Sequence, residues 1–407
     1  MVAEWRQVQL GQVAQEVTVG YVGSMASEYV DDGVPFLRSL NVRPHRVSVD
    51  DIRYISPGFH QRIAKSALAP GDVVTVRTGK PGATAVVPEW LPVANCSDLV
   101  VTRPGPSLDS RWLSYYINGA ANAYVSSRLV GAVQQHFNVG AAKELMLNLP
   151  PLEEQREIAA TLGALDDKIE SNRRVVDTAA QLAVTLLLVQ DATGLAEKVR
   201  VGDVAELNKG LSYKGAGLTS SDDSSALPLI NLKSFSTGPL MNRDGLKYYR
   251  GEYKDRHIVR SGDLMVANTD LTQAREILGR SFLVPTELEG AIHTHHTSVL
   301  RFLDRPELRY VFWAQSRTQE FRDRAEGYAT GTTVSALPPV AVLDYELEVP
   351  VNLAAKRGQV EALLERVWQI EREIDSLTRL REALLPELLS GRIRVPEAAE
   401  AVEEAVS

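Results

Sequence analysis

Two stretches of this chain place apolar residues at alternating intervals of four and three. The first stripe runs through Ile158, Leu162, Leu165, Ile169, Asn172, Val176, Ala179, Ala183 and Leu186. The second runs through Val360, Leu363, Val367, Ile370, Ile374, Leu377, Arg381, Leu384 and Leu388. A narrow stripe of this period is a coiled-coil seam, whereas a helix lying on its own domain shows a wider one. Pro150 and Pro151 stop the preceding strand and open the first helix, and Glu153 and Glu154 suit its positive end. Gly391 is the expected cap of the second helix. Asn172 and Arg381 interrupt the seam, either as solvated edges or as polar positions that fix register.

Before each helix lies a segment patterned as strands, Gly turns and one amphipathic helix, and the two segments repeat each other. "VQLGQVAQEV" matches "VRVGDVAEL", "VPFLRSLNV" matches "LPLINLKSF", and "APGDVVTVRTG" matches "VRSGDLMVANTD". "SLDSRWLSYYINGAANAYVSSR" matches "RPELRYVFWAQSRTQEFRDR", each carrying aromatics on its apolar side. The landmarks recur in one order, which establishes a duplication. Strands are expected at Pro35 to Leu40, Val73 to Val76 and Val100 to Val101, and a helix from Leu108 to Ser127 burying Trp112, Leu113 and Tyr116. The fold class is therefore α/β (α+β): two globular units in tandem, each followed by a long helix. The boundaries are 1–149, 150–190, 191–350 and 351–392, with 393–407 an acidic tail. The helices must pair antiparallel if each leaves its own domain and the domains occupy opposite ends.

Composition changes this picture little. The chain has 407 residues, 44% hydrophobic and 24% charged, enough for two or three globular cores and unlike a disordered protein. Its net charge of −8 excludes a protein coated in basic residues and leaves room for local patches. A single cysteine, Cys96, rules out an internal disulfide and fits a reducing compartment. The run "LAVTLLLV" is too short to span a bilayer, and "MVAEWRQVQLG" lacks a secretory pattern, so a cytoplasmic location is expected. The tail "VPEAAEAVEEAVS" shows no apolar period and is expected to be disordered.

The helix entries carry a resemblance. "LPPLEEQREIAATLGALDDKIESNRR" and "LTRLREALLPELLSGRIRV", each closing a globular unit, resemble the specificity subunit of type I restriction–modification systems. The resemblance covers roughly residues 5–395, with "PFLRSLNV", "PGDVVTVRTGKPG" and "SGDLMVANTD" as smaller echoes. It departs from the family at "VPVNLAAKRGQ", which lacks the proline-rich Glu-Gln entry. The resemblance implies two target-recognition domains, each reading half of a split DNA site, held by an antiparallel pair of conserved spacer helices. It also implies two modification subunits that use S-adenosylmethionine to methylate adenine. A motor and nuclease subunit using ATP and Mg would cleave unmethylated DNA, and this chain itself would hold no cofactor.

Other chemistry finds little purchase. "TVRTGKPG" lacks the glycine spacing of a phosphate loop, and no Asn-Pro-Pro-Tyr or Asp-Pro-Pro-Tyr motif is present. Asp244, Glu252 and Lys254 only loosely resemble a magnesium nuclease site. "HTHH" (His293 to His296) lacks the convergent ligands of a zinc site, and strand alternation would put His293 and His295 on one face and His296 on the other.

DNA reading needs cations on phosphates and donors or acceptors at base edges. The first repeat offers Arg38, Asn41, Arg43, Arg46, Arg77, Thr78, Lys80, Gln134, Gln135 and His136. The second offers Asn231, Lys233, Asn268, Thr269, Gln273, Arg275, Thr330, Thr332 and Thr333. These fall at corresponding places yet differ in type, as one scaffold reading two sequences requires. The competing reading is a coiled-coil scaffold joining two ligand-binding domains without DNA specificity. Salt separates the two, since specific DNA binding weakens steeply as salt rises.

Overall fold

The computed structural model describes residues 5–79, 81–121, 124–125, 137–189, 196–331 and 334–406. The chain divides into two compact units. One comprises residues 1–170 and 375–407, the other 171–374. Each unit therefore holds one repeat and part of each long helix.

In the first unit the β-branched run Val73–Val76 is buried on both faces, as a central strand must be. It lies between Thr84–Val86 and Leu99–Pro104, and Ala14–Val19 completes an antiparallel sheet of four. A second sheet is ordered Tyr29–Val30, Arg53–Ile55, Val34–Leu37, Ala94–Cys96 and Ala67–Leu68, with Val34–Leu37 and Ala94–Cys96 parallel. A third pair joins Arg6–Gln9 to Met146–Leu149.

The second unit repeats this plan. Its first sheet is ordered Ala205–Lys209, Thr297–Phe302, Leu264–Ala267 and Ser281–Leu283. Its second runs Leu218–Thr219, Lys247–Tyr249, Leu227–Ile230 and Ile292–His293, again with one parallel step, and Ala196–Arg200 pairs with Glu346–Pro350. The register agrees as well: Val76 opposes Leu99 in one unit and Ala267 opposes Thr297 in the other. Gly20 and Gly210 occupy the same crossing in both. A Cβ would lie 1.7 Å from the Ser97 carbonyl oxygen at Gly20 and 2.4 Å from that of His293 at Gly210, so only glycine fits.

The strand expected over Pro35 to Leu40 is Val34–Leu37, followed by a 3-10 turn at Ser39–Asn41. The aromatic helix is Ser110–Asn118, capped by Asp109, whose carboxylate accepts from the Trp112 amide at 2.9 Å. It buries Trp112, Leu113 and Tyr116 and ends at Asn118 with Gly119 as its cap, glycine being the weakest continuation of a helix apart from proline; Ser127, the expected end, lies outside the described residues.

The long helices span Leu152–Leu188 and Leu353–Ser390. Ile158, Leu162, Leu165, Ile169 and Val176 are buried as the pattern requires, but further on Ala180 and Leu187 are the deeply buried residues in place of Ala179 and Leu186. Leu364 likewise replaces Leu363. A helix of 3.6 residues per turn drifts against a 3.5 repeat, which accounts for the late shift in the first helix, whereas Val367, Ile370 and Leu377 keep the second on its expected stripe beyond Leu364. In the first unit Asp166 meets Arg381 at 2.7 Å and Glu154 meets Arg394, an antiparallel order. In the second, Val176 packs with Val367 and Ile370, and Lys356 Nζ donates to the Val189 carbonyl at 2.6 Å. Gly391, at φ 72°, ends the second helix.

The tail corrects the expectation of disorder: Val395–Val406 is a helix. Alanine and glutamate favour helix, Pro396 is tolerated in the first turn, and Ala398 and Val402 fall on one buried face. Lys168 Nζ donates to the Val406 carbonyl at 3.1 Å, and the Trp5 indole donates to Glu154 at 3.0 Å beside Arg394. No described helix is long and apolar enough to cross a membrane.

Candidate nucleic-acid interface

In the first unit a groove of about 580 Å³ opens between two loops and is lined in part by Leu40, Arg43, Pro44, Thr78 and Gly79. One wall is the hairpin Val42–Arg43 with Arg46–Val47. Its turn residue His45 sits at φ 65°, a region that favours glycine and asparagine. Packing holds it there. The imidazole stacks on Tyr115 with centroids 4.4 Å apart, its Nδ1 lies 3.3 Å from Asn118 Nδ2, and its amide donates to the Thr84 carbonyl at 2.8 Å. The Tyr115 hydroxyl donates to Asp166 at 2.6 Å, and Asp166 also accepts from Arg381. Burial lowers His45 to about 4, against the opposing pull of Asp166 and with a small push from Arg381.

This shift has a sign that can be checked. A histidine near 6.5 when unfolded and about 4 when folded supports the fold fully above 6.5, and that support is lost as pH falls through 4. His45→Asn, which tolerates the positive φ, is expected to flatten the fall of stability between these values in denaturation at stepped pH. It should not abolish it, because burial also lowers His293 to about 4.

Arg43 is exposed at the groove, and Arg46 pairs with Glu170 at 2.8 Å. Thr78 lines the groove. Arg77 donates to Asp98. Two expected readers are turned inward. Arg38 pairs with Asp51 at 3.0 Å and leaves its Nε shielded. Asn41 is fully buried, and its amide accepts from the Arg38 N–H and donates to the carbonyls of Ser48 and Asp50 at 3.2 and 3.1 Å. An amide so occupied builds the loop and has no edge left for a base. Lys80, Gln134, Gln135 and His136 lie outside the described residues.

In the second unit Asn231 repeats this role. It is buried, accepts from the Lys233 amide at 3.0 Å and donates to the carbonyls of Leu229 and Gly245 at 3.2 and 2.6 Å. It too is a structural cap. Lys233 beside it is exposed. Thr269, Arg275 and Thr330 gather around one short strand, Ser335–Ala336. Thr269 pairs with it in a ladder, Arg275 Nε donates to Ser335 Oγ at 2.9 Å, and Thr330 exchanges backbone bonds with Ala336. Asn268 Nδ2 donates to Ser298 Oγ at 2.8 Å. Gln273 is exposed on the loop that Asp270 braces through the Thr272 and Ile277 amides. Thr332 and Thr333 lie outside the described residues.

The histidine run departs from alternation. The strand ends at His293, which is buried with Nδ1 3.0 Å from Thr297 Oγ1. A turn then brings the His295 and His296 rings to 3.9 Å, and His296 Nδ1 lies 2.9 Å from Thr269 Oγ1. Among the described residues no group of three or more His, Cys, Asp or Glu is placed to hold a metal. Glu252 and Lys254 are exposed, and Asp244 lies in the turn Arg243–Gly245. Asp98 is not among the residues singled out from the sequence, and His296 is singled out only within the histidine run. Aligning the strands Leu99–Pro104 and Thr297–Phe302 would have flagged both as the residues that precede them.

Residues 3–177 match the family model described as type I restriction modification DNA specificity domain. No curated protein matches the chain. Among solved structures, the S subunit of a type I restriction–modification system from M. genitalium is 14% identical, with 95% of this chain and 96% of that one covered at a TM-score of 0.56. This likeness is one of fold. The HsdS subunit from Thermoanaerobacter tengcongensis is 19% identical over 96% of this chain and 97% of that one, with a TM-score of 0.36.

Proposed function

Because residues 3–177 match the model of the type I restriction modification DNA specificity domain, we infer that the chain is a specificity subunit of such a system and reads a bipartite DNA target on behalf of a larger complex. Each repeat reads one half of the target. Two modification subunits, using S-adenosylmethionine, methylate adenine within the site that the chain selects. Where a motor and nuclease subunit joins, it uses ATP and Mg to cleave unmethylated DNA. The chain itself supplies no catalytic group and holds no cofactor; its contribution is position and sequence choice, in the cytoplasm where the DNA is.

One observation carries this reading. The same strand order and register occur twice, yet the loops set on that frame carry different side chains: the hairpin with Arg43 and Arg46 in one unit, the ribbon with Thr269, Arg275 and Thr330 in the other. A rigid frame with varied loops is how a scaffold presents two specificities. The second repeat, beyond the residues of the family match, enters through this shared topology.

Exchanging residues 1–149 for the corresponding domain of a relative tests it. In the assembled methyltransferase, mapped adenine methylation is expected to change in one half-site and keep the other. A change in both halves, or in neither, would show that the repeats are not independent readers. Specific binding should also fall steeply with added salt.

A further inference from the structure

The two repeats diverge at one definable step of their common frame. Val76 and Ala267 are the last residues of equivalent strands, and both are buried. The next residues, Arg77 and Asn268, therefore leave the sheet from equivalent fixed points. Opposite them, immediately before the partner strands, stand Asp98 and His296. The residues that follow, Thr78 and Thr269, are identical. Chemistry changes at 77/268 and at 98/296, and also at 100/298, where Val100 stands in place of the Ser298 that meets Asn268.

The contacts show what each side chain has left to offer. Arg77 Nη1 donates to Asp98 Oδ1, which fixes the guanidinium by one corner. Asn268 spends one Nδ2 hydrogen on Ser298 Oγ at 2.8 Å. Its second hydrogen and its carbonyl oxygen remain, and together they form the edge an amide uses in a two-point contact. Both side chains are only partly exposed, with Arg77 18% accessible beside Asp98 at 30%.

Charge separates two uses of such residues. A phosphate contact draws its affinity from a positive charge that releases counterions. Asp98 offsets the charge of Arg77, and Asn268 has none. What both retain is direction: the guanidinium fork matches guanine O6 and N7, and the amide matches adenine N6 and N7. We propose that this step is a base-reading position in each repeat, with Arg77 selecting guanine in one half-site and Asn268 selecting adenine in the other. Asp98 and Ser298 are positioning residues that aim them. The inference rests on the DNA-reading function proposed above.

The test uses the full chain assembled with its methyltransferase subunits and duplexes randomised across both half-sites. R77Q/D98N removes both charges together and replaces the fork with an amide. It is expected to exchange a guanine preference for adenine at one position of one half-site, by about ten- to hundred-fold in relative affinity. The other half-site and the salt slope should stay unchanged. Arg77→Lys keeps the charge and the pairing with Asp98 but loses the fork, and should lower guanine discrimination about ten-fold or more. Asn268→Ser should erase an adenine preference in the other half alone, so a fold failure in one repeat leaves the other to decide. Unchanged base preferences in the variants, with selective binding retained, would overturn the proposal. So would a uniform loss over all sequences with the salt slope reduced by about one, the mark of a phosphate contact. If the unaltered complex bound every duplex alike, the underlying function would fail instead.

Discussion

A chain with one heptad inserted into each long helix is expected to direct its modification subunits to a target whose unread spacer is about three base pairs longer. Seven helical residues add about 10 Å, and base pairs stack about 3.4 Å apart. The insertion points are Asn172 and Ile374, because the compact units divide at 170/171 on one helix and 374/375 on the other. Inserting there leaves Ile158 to Ile169 facing its partners in the first unit, and Val176, Val367 and Ile370 facing each other in the second. A single insertion should shift one seam past the other and weaken assembly, since every knob then meets the wrong hole. Methylated sites mapped in cells carrying the double insertion give the result directly. An unchanged spacer would mean that helix length does not set it.

The second large effect concerns Asp166. Its two carboxylate oxygens take bonds from the Tyr115 hydroxyl at 2.6 Å and from Arg381 at 2.7 Å. Burial and this carboxylate push the Tyr115 hydroxyl far above its usual range, so the phenol remains a donor. Asp166→Ala leaves a half-buried arginine in the seam and a buried hydroxyl without its acceptor. The expected cost is about 2–3 kcal/mol of stability in the first unit. Asp167, its exposed neighbour, should change stability by less than about 0.5 kcal/mol when replaced by alanine. The triple change Y115F/D166A/R381L removes every member together and should recover much of the loss, because no polar group is then stranded. Denaturant titration of the four proteins checks the order. Equal costs at positions 166 and 167 would show that the cluster holds nothing.

These tests rest partly on what the sequence already showed. The seam was legible because branched aliphatics fall on one period, and Arg381 within it was recognised as a candidate register-fixing position. Its partner was not legible: Asp166 lies 215 residues away, and no local pattern links them. The late slip to Ala180 and Leu187 follows from helix geometry and not from residue type. Asn41 and Asn231 misled because a polar residue after a strand looks the same whether it faces solvent or caps the turn beneath. The direction of an amide depends on backbone carbonyls brought in by folding, here those of Ser48, Asp50 and Gly245. The role of His45 has no local signal either, since its stacking on Tyr115 crosses 70 positions of chain. The tail misled differently. Its acidity hid a helix whose apolar face consists of small residues, Ala398 and Val402.

The division of the units inside the long helices bears on the order in which the protein forms during synthesis. Residues 171–374 are one continuous run, so the second unit has all its parts as soon as that run has left the ribosome. The first unit does not, because residues 1–170 need 375–407. Until those residues emerge, Asp166 waits for Arg381 and Glu154 for Arg394. The repeat translated first is thus completed last. A nascent chain paused before Asp375 carries a finished second unit and an unfinished first one, the kind of partly folded species that chaperones hold and that neighbouring nascent chains can capture.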